Sequence, residues 1–334
     1  MTQPVPAATM KAAWIERYGP PEVITVRETA MPVMGPHDVL IRMRASTVTL
    51  PDCAFRAADP FIVRFFAGLL RPKAPIPGGA VAGEIAAVGE NVTRFAPGDR
   101  VFGTTDPLPS AMAQYVALSE DAPLALMPDA LDFGEAAGLT YSFLTAMPFL
   151  RDEAKLRPGQ SILINGAASS IGTVAVQLAR RMGARITAVC SARNADLVSS
   201  LGADTIIDRH TSDFTSVSAA YDVIFDVVGK SSYLACKKAL KPHGIYLTTT
   251  PSFAILWAMI RGKDAQGRRG KLATTGLRPL PDKAKDMLVL SEMVAEGKLR
   301  GVIDRVMPLE AIAEAHRYVE KETKAGDVII EMPR

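Results

Sequence analysis

The sequence is poor in the residues from which metal centres and disulfide frameworks are built. Its three cysteines, Cys53, Cys190 and Cys236, lie far apart and form no CxxC pair, a pattern of reduced thiols in a cytoplasmic protein rather than of a disulfide scaffold. Its four histidines, His37, His210, His243 and His316, stand isolated and read as surface or cap residues, so no tetrahedral set of Cys and His can be assembled and no metal is expected. Charge of one sign is also missing: 38 Lys and Arg meet 35 Asp and Glu, for a net +3 without any run of like charge, which argues against a nucleic-acid partner. The first nine residues, MTQPVPAAT, lack a basic n-region and an apolar h-region and read as a loose terminus rather than a secretory signal. Long apolar runs are absent as well. Residues 61–70 (FIVRFFAGLL) and 253–260 (FAILWAMI) fall far short of the roughly 20 residues of a membrane span and read as short helices or lids packed on the protein. No repeat or low-complexity segment appears.

What is present is an ordinary globular chain of 334 residues, 48% hydrophobic and 22% charged, long enough to form two domains. Its organising stretch is 161–190, SILINGAASSIGTVAVQLARRMGARITAVC. Ile162, Leu163 and Ile164 form a short apolar run suited to a parallel strand covered on both faces. The small residues Gly166, Ala167, Ala168, Ser169, Ser170 and Gly172 follow, and Ile171, Val174, Ala175 and Leu178 then repeat at helical spacing. A tight turn feeding a helix N-terminus suits a diphosphate, because main-chain amides and the positive end of the helix dipole converge there. Serine replaces the middle glycine of the usual G-x-G-x-x-G. Further strands are expected at 185–190, 205–208, 221–228 and 244–250, with helical faces from Leu197, Val198 and Leu201 and from Leu234, Ala235 and Leu240. Strands alternating with helices predict an α/β, doubly wound parallel sheet.

NAD-binding sheets of this kind place an acid at the end of the second strand to hold the ribose hydroxyls. Here that place reads Cys190, Ser191, Ala192, Arg193, Asn194, with no acid before Asp196. A hydroxyl and a guanidinium suit a 2′-phosphate, so NADPH is the expected cofactor.

Ahead of this sheet, 11–16, 39–44, 81–88, 99–103 and 113–117 read as short strands separated by Gly and Pro, an all-β region. A helix over 133–149 carries the chain across. At the far end 284–296 and 309–320 read as helices and 327–331 as a last strand returning to the first domain.

Gly83-Glu84 and Gly89 in VAGEIAAVGENVTRFAPGDRVFG, the INGAASSIGTVAVQLAR unit, LGAD at 201–204, YDVIFDVVG, and PLEAIAEAHRYVE before DVII together resemble the medium-chain dehydrogenase/reductase superfamily, in its zinc-independent, quinone-oxidoreductase-like branch. The resemblance runs nearly end to end. It implies a β-rich GroES-like catalytic domain (1–134 and 281–334) and a Rossmann dinucleotide-binding domain (135–280) flanking a cleft, a nicotinamide cofactor and a homodimer paired through Rossmann edges, with 244–250 near the contact. It implies cofactor contacts at Gly166, Ala168, Ser169, Ser170, Ile171, Gly172, Ser191, Arg193, Asn194, Arg209, Val228, Gly229, Thr248 and Thr249. Where zinc members carry ligands, this chain has Thr49 and Gly78-Gly79-Ala80; where the branch often has Asn, Asp and Tyr, it has Thr49, Asp52 and Ala54. In place of the Lys and Tyr common beside the ribose in the family stand Asn194 and Arg209, so the positive charge is expected to have moved to Arg193 and Arg209. Cys53 reads as a small buried thiol without a His partner.

The resemblance implies hydride transfer to an activated acceptor, a quinone or an α,β-unsaturated carbonyl (enone or enal) of apolar or aromatic character, with Thr49 and Tyr141 as the candidate donors to the developing oxyanion. An alcohol or carbonyl dehydrogenase of the same superfamily and a non-catalytic NADPH-binding sensor are the alternatives.

Overall fold

The computed structural model describes residues 9–333. The reading of the first nine residues as a loose terminus falls, but for Thr9, outside them, and Thr9 already opens a strand. In chain order the structure begins with β1 (Thr9–Ile15), β2 (Ile24–Ala30), β3 (Asp38–Val48), α1 (Leu50–Ala57), α2 (Val63–Ala67), β4 (Ala80–Val88), β5 (Arg100–Thr104), β6 (Tyr115–Ser119), β7 (Leu124–Leu126) and α3 (Phe133–Pro148). A π-helical turn over Phe149–Glu153 leads to β8 (Ser161–Asn165), α4 (Ser170–Arg181), β9 (Arg185–Cys190), α5 (Ala195–Ser200), β10 (Thr205–Asp208), β11 (Tyr221–Asp226), α6 (Tyr233–Cys236), β12 (Leu240–Thr248), α7 (Phe253–Arg261) and β13 (Arg269–Leu272). The chain closes with α8 (Leu280–Ala295), β14 (Ile303–Pro308), α9 (Ile312–Glu320) and β15 (Asp327–Glu331).

Two compact units result. One comprises residues up to Tyr141 with Pro279–Gly297 and the stretch from Gly301 onward; the other comprises Ser142–Arg278 with Lys298–Arg300. In the first, among the described residues, β1 and β2 pair as a ribbon and a seven-stranded sheet runs β14-β15-β3-β4-β5-β7, with β6 also paired to β3. The last strand β15 lies antiparallel to β3, with Val328 opposite Val48, as the sequence led us to expect of the returning tail. The core of this unit is largely aliphatic, with Val39, Ile41 and Met43 of β3 inside and Arg42 exposed; Leu40 and residues 45–48 are buried as well, so most of β3 is covered on both faces.

In the second unit the described residues form a six-stranded parallel sheet in the order β10-β9-β8-β11-β12-β13. The apolar runs that announce β8 and β11 are buried on both faces: Ile162, Leu163, Ile164, Val223, Ile224 and Phe225 are sequestered. Phe149 of the π turn stacks on Phe225 at 4.8 Å, anchoring the incoming chain beneath the sheet.

Three expectations need correction. The fifth strand is Leu240–Thr248, not 244–250, and Leu240 belongs to it rather than to a helix with Leu234 and Ala235; α6 is a single short turn because Pro242 and Gly244 suit a bulged strand entry better than a helix. That strand is not an edge, since β13 pairs with it in parallel. The run 61–70 is also not packed down: Phe61, Ile62, Phe65, Phe66, Leu69 and Leu70 all stay exposed. The segment is held through its polar atoms instead, with Tyr18 donating to the Gly68 carbonyl (2.6 Å) and Arg64 lying over the Tyr18 and Phe61 rings. In α7, by contrast, Ile255 and Ala258 are buried while Phe253, Trp257 and Ile260 face outward. No helix among the described residues is long and apolar enough to cross a membrane.

Candidate cofactor and active site

The turns after β8 and β11 are shaped by three close approaches. Gly166 has φ +83°, and a Cβ there would meet Val228 Cγ1 at 2.4 Å. A Cβ on Gly172 would lie 2.2 Å from the Gly166 carbonyl, so the first turn of α4 packs against the turn with no room for a methyl. Gly229, with φ +63°, would drive a Cβ into Thr250 Oγ1 at 2.4 Å. Only glycine fits these positions. Ser169, where a second glycine is common, is the N-cap: its Oγ accepts from the Gly172 amide (3.2 Å) and donates to the Gly166 carbonyl (2.7 Å). The serine thus replaces the missing glycine with a cap that fixes where α4 begins. The amides of Gly166 and Ala167 bind the Val189 carbonyl, locking the turn to β9.

The sheet order shows where a dinucleotide would lie. From β8 the chain winds one way, to β9 and β10; from β11 it winds the other, to β12 and β13. The β8/β11 boundary is therefore the switch point, where ligands of open α/β sheets bind beyond the strand ends. Ala168, Ser169, Ser170, Ile171 and Gly172 lie at the start of α4, whose 12 residues direct the positive end of a helix dipole to this edge. Val228 and Gly229 follow β11, and Thr249 Oγ1 donates to the Val227 carbonyl at 3.1 Å, so the ends of β11 and β12 are joined; Thr248, directly opposite Asp226, is buried beneath them. Ser191, Arg193 and Asn194 form a 3-10 turn after β9. Arg209 follows β10, its amide bonded to the Cys190 carbonyl and its Nε to His210 Nε2 at 3.2 Å. With Asp208 beside Cys190 in register, both arginines issue from neighbouring strand ends, and both are exposed. The glycine cradle, the capped helix and the two arginines fit a phosphate-bearing dinucleotide. A small cavity adjoins the turn after β11, with Gly229, Ser231, Thr248, Thr250, Tyr233 and Ile255 among its lining residues.

In the first unit Thr49 follows β3 directly and caps α1. Its hydroxyl donates to Asp52 Oδ2 at 2.5 Å, and the Asp52 carboxylate accepts the Thr49 amide at 2.8 Å, a reciprocal capping box. Burial pushes the Asp52 carboxyl above the ordinary range, against the pull of the two Thr49 hydrogen bonds. Tyr141 is half-buried on α3. One turn before it, Gly138 approaches Asp327 so closely that a Cβ would lie 2.7 Å from the carboxylate, and Val328 next to that aspartate is paired with Val48. α3 therefore rests on the same strand ends from which Thr49 emerges.

Two sequence readings of isolated residues are overturned here. His316 is wholly buried rather than superficial, and its Nδ1 lies 3.4 Å from Cys53 Sγ. The pairing was hidden because 263 residues separate the two and only the packing of α9 on α1 joins them. Burial, reinforced by Asp52, pushes the Cys53 thiol up to about 12, and burial, reinforced by Arg56, pushes the His316 imidazole down to about 3. At neutral pH the pair is neutral, a packed thiol against a packed imidazole and not a thiolate nucleophile. Among the described residues no three His, Cys, Asp or Glu side chains gather as a metal site, and all three cysteines are free and buried.

Family models described as alcohol dehydrogenase GroES-like domain and as zinc-binding dehydrogenase match residues 35–129 and 201–330. The chain is similar to a quinone oxidoreductase of Pseudomonas aeruginosa, 30% identical over 331 residues that cover 94% of this chain and 97% of the relative. It is also similar to a chloroplastic NADPH-dependent alkenal/one oxidoreductase of Arabidopsis thaliana, 28% identical with 96% and 79% covered. The solved structure of a quinone oxidoreductase from Coxiella burnetii matches with a TM-score of 0.85 and 26% identity over 97% of this chain and 100% of that one. The chain belongs to the medium-chain dehydrogenase/reductase superfamily, in its quinone-oxidoreductase-like branch. It is an oxidoreductase that works with a nicotinamide nucleotide.

Proposed function

We propose that the protein is an NADPH-dependent, zinc-independent reductase that passes hydride to a quinone or to the C=C bond of an enone or enal. The observation that carries the cofactor choice is the pair Arg193 and Arg209 at adjoining strand ends, with no acid between Cys190 and Asp196. Arginine offers a 2′-phosphate both charge and forked donors. Gly166, Ala168, Ser169, Ser170, Ile171 and Gly172 would hold the diphosphate, Ser191 and Asn194 the adenosine ribose, and Val228, Gly229, Thr248 and Thr249 the nicotinamide side. When bound, NADPH supplies hydride from the nicotinamide C4.

The residues of the first unit then have to stabilise negative charge on an acceptor oxygen. Thr49 and Tyr141 are the hydroxyl donors for this role. The Thr49 proton is turned to Asp52, so serving an oxyanion requires the Thr49 hydroxyl to rotate away from that carboxyl. Activated acceptors need no stronger polarisation than such donors provide. Support for the zinc-independent reading is the presence of Thr49 and Gly78-Gly79-Ala80 at the positions where zinc members of the superfamily carry ligands. Free, buried thiols support a cytoplasmic enzyme. The test is NADPH consumption, followed by loss of nicotinamide absorbance, against a panel of quinones, enones and enals, with simple saturated ketones and aldehydes as controls. Catalytic turnover with the activated acceptors is expected; cofactor binding without turnover would identify a sensor, and turnover confined to the controls an alcohol dehydrogenase.

A further inference from the structure

At the switch point the last residues of the two diverging strands, Asn165 of β8 and Asp226 of β11, stand directly opposite one another. Asp226 is completely buried. A carboxylate so placed must be saturated with hydrogen bonds, since burial removes its water. Asn165 Nδ2 donates to Oδ1 at 3.0 Å and the Val228 amide to the same oxygen at 3.3 Å. The Ser231 amide donates to Oδ2 at 2.8 Å and the Tyr246 hydroxyl at 2.9 Å. These four donors are all neutral and come from different places: one from the end of β8, one from β12 and two from the turn that follows β11. A single side chain therefore ties three adjacent strands and the 227–231 turn to one point.

That turn carries Val228, against which Gly166 closes with no space for a Cβ, and Gly229 in a positive-φ conformation. Its position decides how wide the gap is between the glycine turn after β8 and the wall formed after β11. We propose that Asp226 is a positioning residue for the nicotinamide half of the cofactor, acting through the 227–231 turn without touching the ligand. The assignment of halves follows from the sheet: Arg193 and Arg209 stand on the β9/β10 side of the switch point, which leaves the β11/β12 side for the other half. The proposal rests on reading this edge as a dinucleotide site.

The two halves make a direct test possible. Dissociation constants for NADPH and for 2′,5′-ADP, which represents the adenosine half alone, are measured by calorimetry on the full-length protein and on Asp226→Asn and Asp226→Ala. Loss of the buried acceptor frees the turn, and NADPH binding is expected to weaken about tenfold or more while 2′,5′-ADP binding stays within about twofold of the unchanged protein. Should either variant fail to fold by circular dichroism, Tyr246→Phe removes one donor while keeping the ring; it is expected to weaken NADPH about threefold and to leave 2′,5′-ADP unaffected. Equal weakening of both ligands, or of neither, overturns the positioning role. If the unchanged protein binds neither ligand, the dinucleotide reading itself falls, and the proposal with it.

Discussion

In the proposed cofactor reading, Arg193 and Arg209 act on a 2′-phosphate. Reversing one charge, Arg193→Glu, is expected to raise the KM for NADPH roughly 10- to 100-fold while leaving the KM for NADH nearly unchanged; steady-state kinetics with both cofactors would show it, and equal effects on the two would remove Arg193 from the site. Thr49 caps α1 and is also the proposed oxyanion donor, and the two roles can be separated. Thr49→Val loses the cap and is expected to cost about 1 kcal/mol of stability together with most of kcat, whereas Thr49→Asn, a good cap with its own donors, should restore stability and part of kcat. A Thr49→Val enzyme with unaltered kcat would leave Thr49 a cap and nothing more. His316 makes a prediction about acid. Its pKa is depressed in the fold, to about 3 from 6.5, so the unfolded chain binds a proton that the folded chain refuses between those values. Stability therefore falls as pH drops from about 6.5 towards about 3, with a slope approaching about 1.4 kcal/mol per pH unit from this group. Denaturant titrations across that window should show His316→Gln with a correspondingly shallower slope than the parent. These residues also mark the limit of legibility: Thr49, Arg193 and the glycine turn are local signals, whereas the contact of His316 with Cys53 exists only after α9 has packed on α1, and no spacing rule reaches across 263 residues.

At the scale of elements, the strands that could be read were those with the simplest environments. β8, β9, β10 and β11 are short apolar runs bounded by turn residues, and their limits agree with the sequence expectation to within two residues. β13 (RGKL) and β14 (IDRVMP) are harder to read because charged residues interrupt them, β13 has hardly any apolar content, and no residue of β14 is fully buried. α6 was read as too long, since Leu240 pointed equally to a helix face or to a buried strand start, a distinction that periodicity over so few residues cannot make. The capped α4 invites a direct test of the tight turn. Gly172→Ala places a methyl against the Gly166 carbonyl and the Ala167 backbone, atoms that cannot rotate away. It is expected to cost about 1–3 kcal/mol of stability, read by thermal unfolding, and to weaken nucleotide binding, whereas Gly159→Ala, at a turn with open space around it, should show only the modest backbone cost of its positive φ.

For the molecule as a whole, the dimer expected from the family resemblance would be sought at β13, which among the described residues is the end strand next to β12, rather than at β12 itself, which is paired on both sides. Light scattering at micromolar concentration is expected to give twice the chain mass, and a monomer would count against it. Metal analysis of active protein should find no stoichiometric zinc, with turnover insensitive to chelators; a zinc-dependent enzyme would refute the reading of Thr49 and Gly79. The return of β15 to lie between β14 and β3 has a further consequence for how the protein is made. The parallel-sheet unit is nearly continuous in the chain and can close as soon as its own residues leave the ribosome, whereas the other unit must wait for residues 327–331 before the 45–48 segment of β3, already paired with β4 and β6 along the rest of its length, gains its second neighbour. During synthesis the unit that holds β3 is thus finished after the parallel-sheet unit, and for that interval the 45–48 edge of β3 is open to a chaperone or another nascent chain.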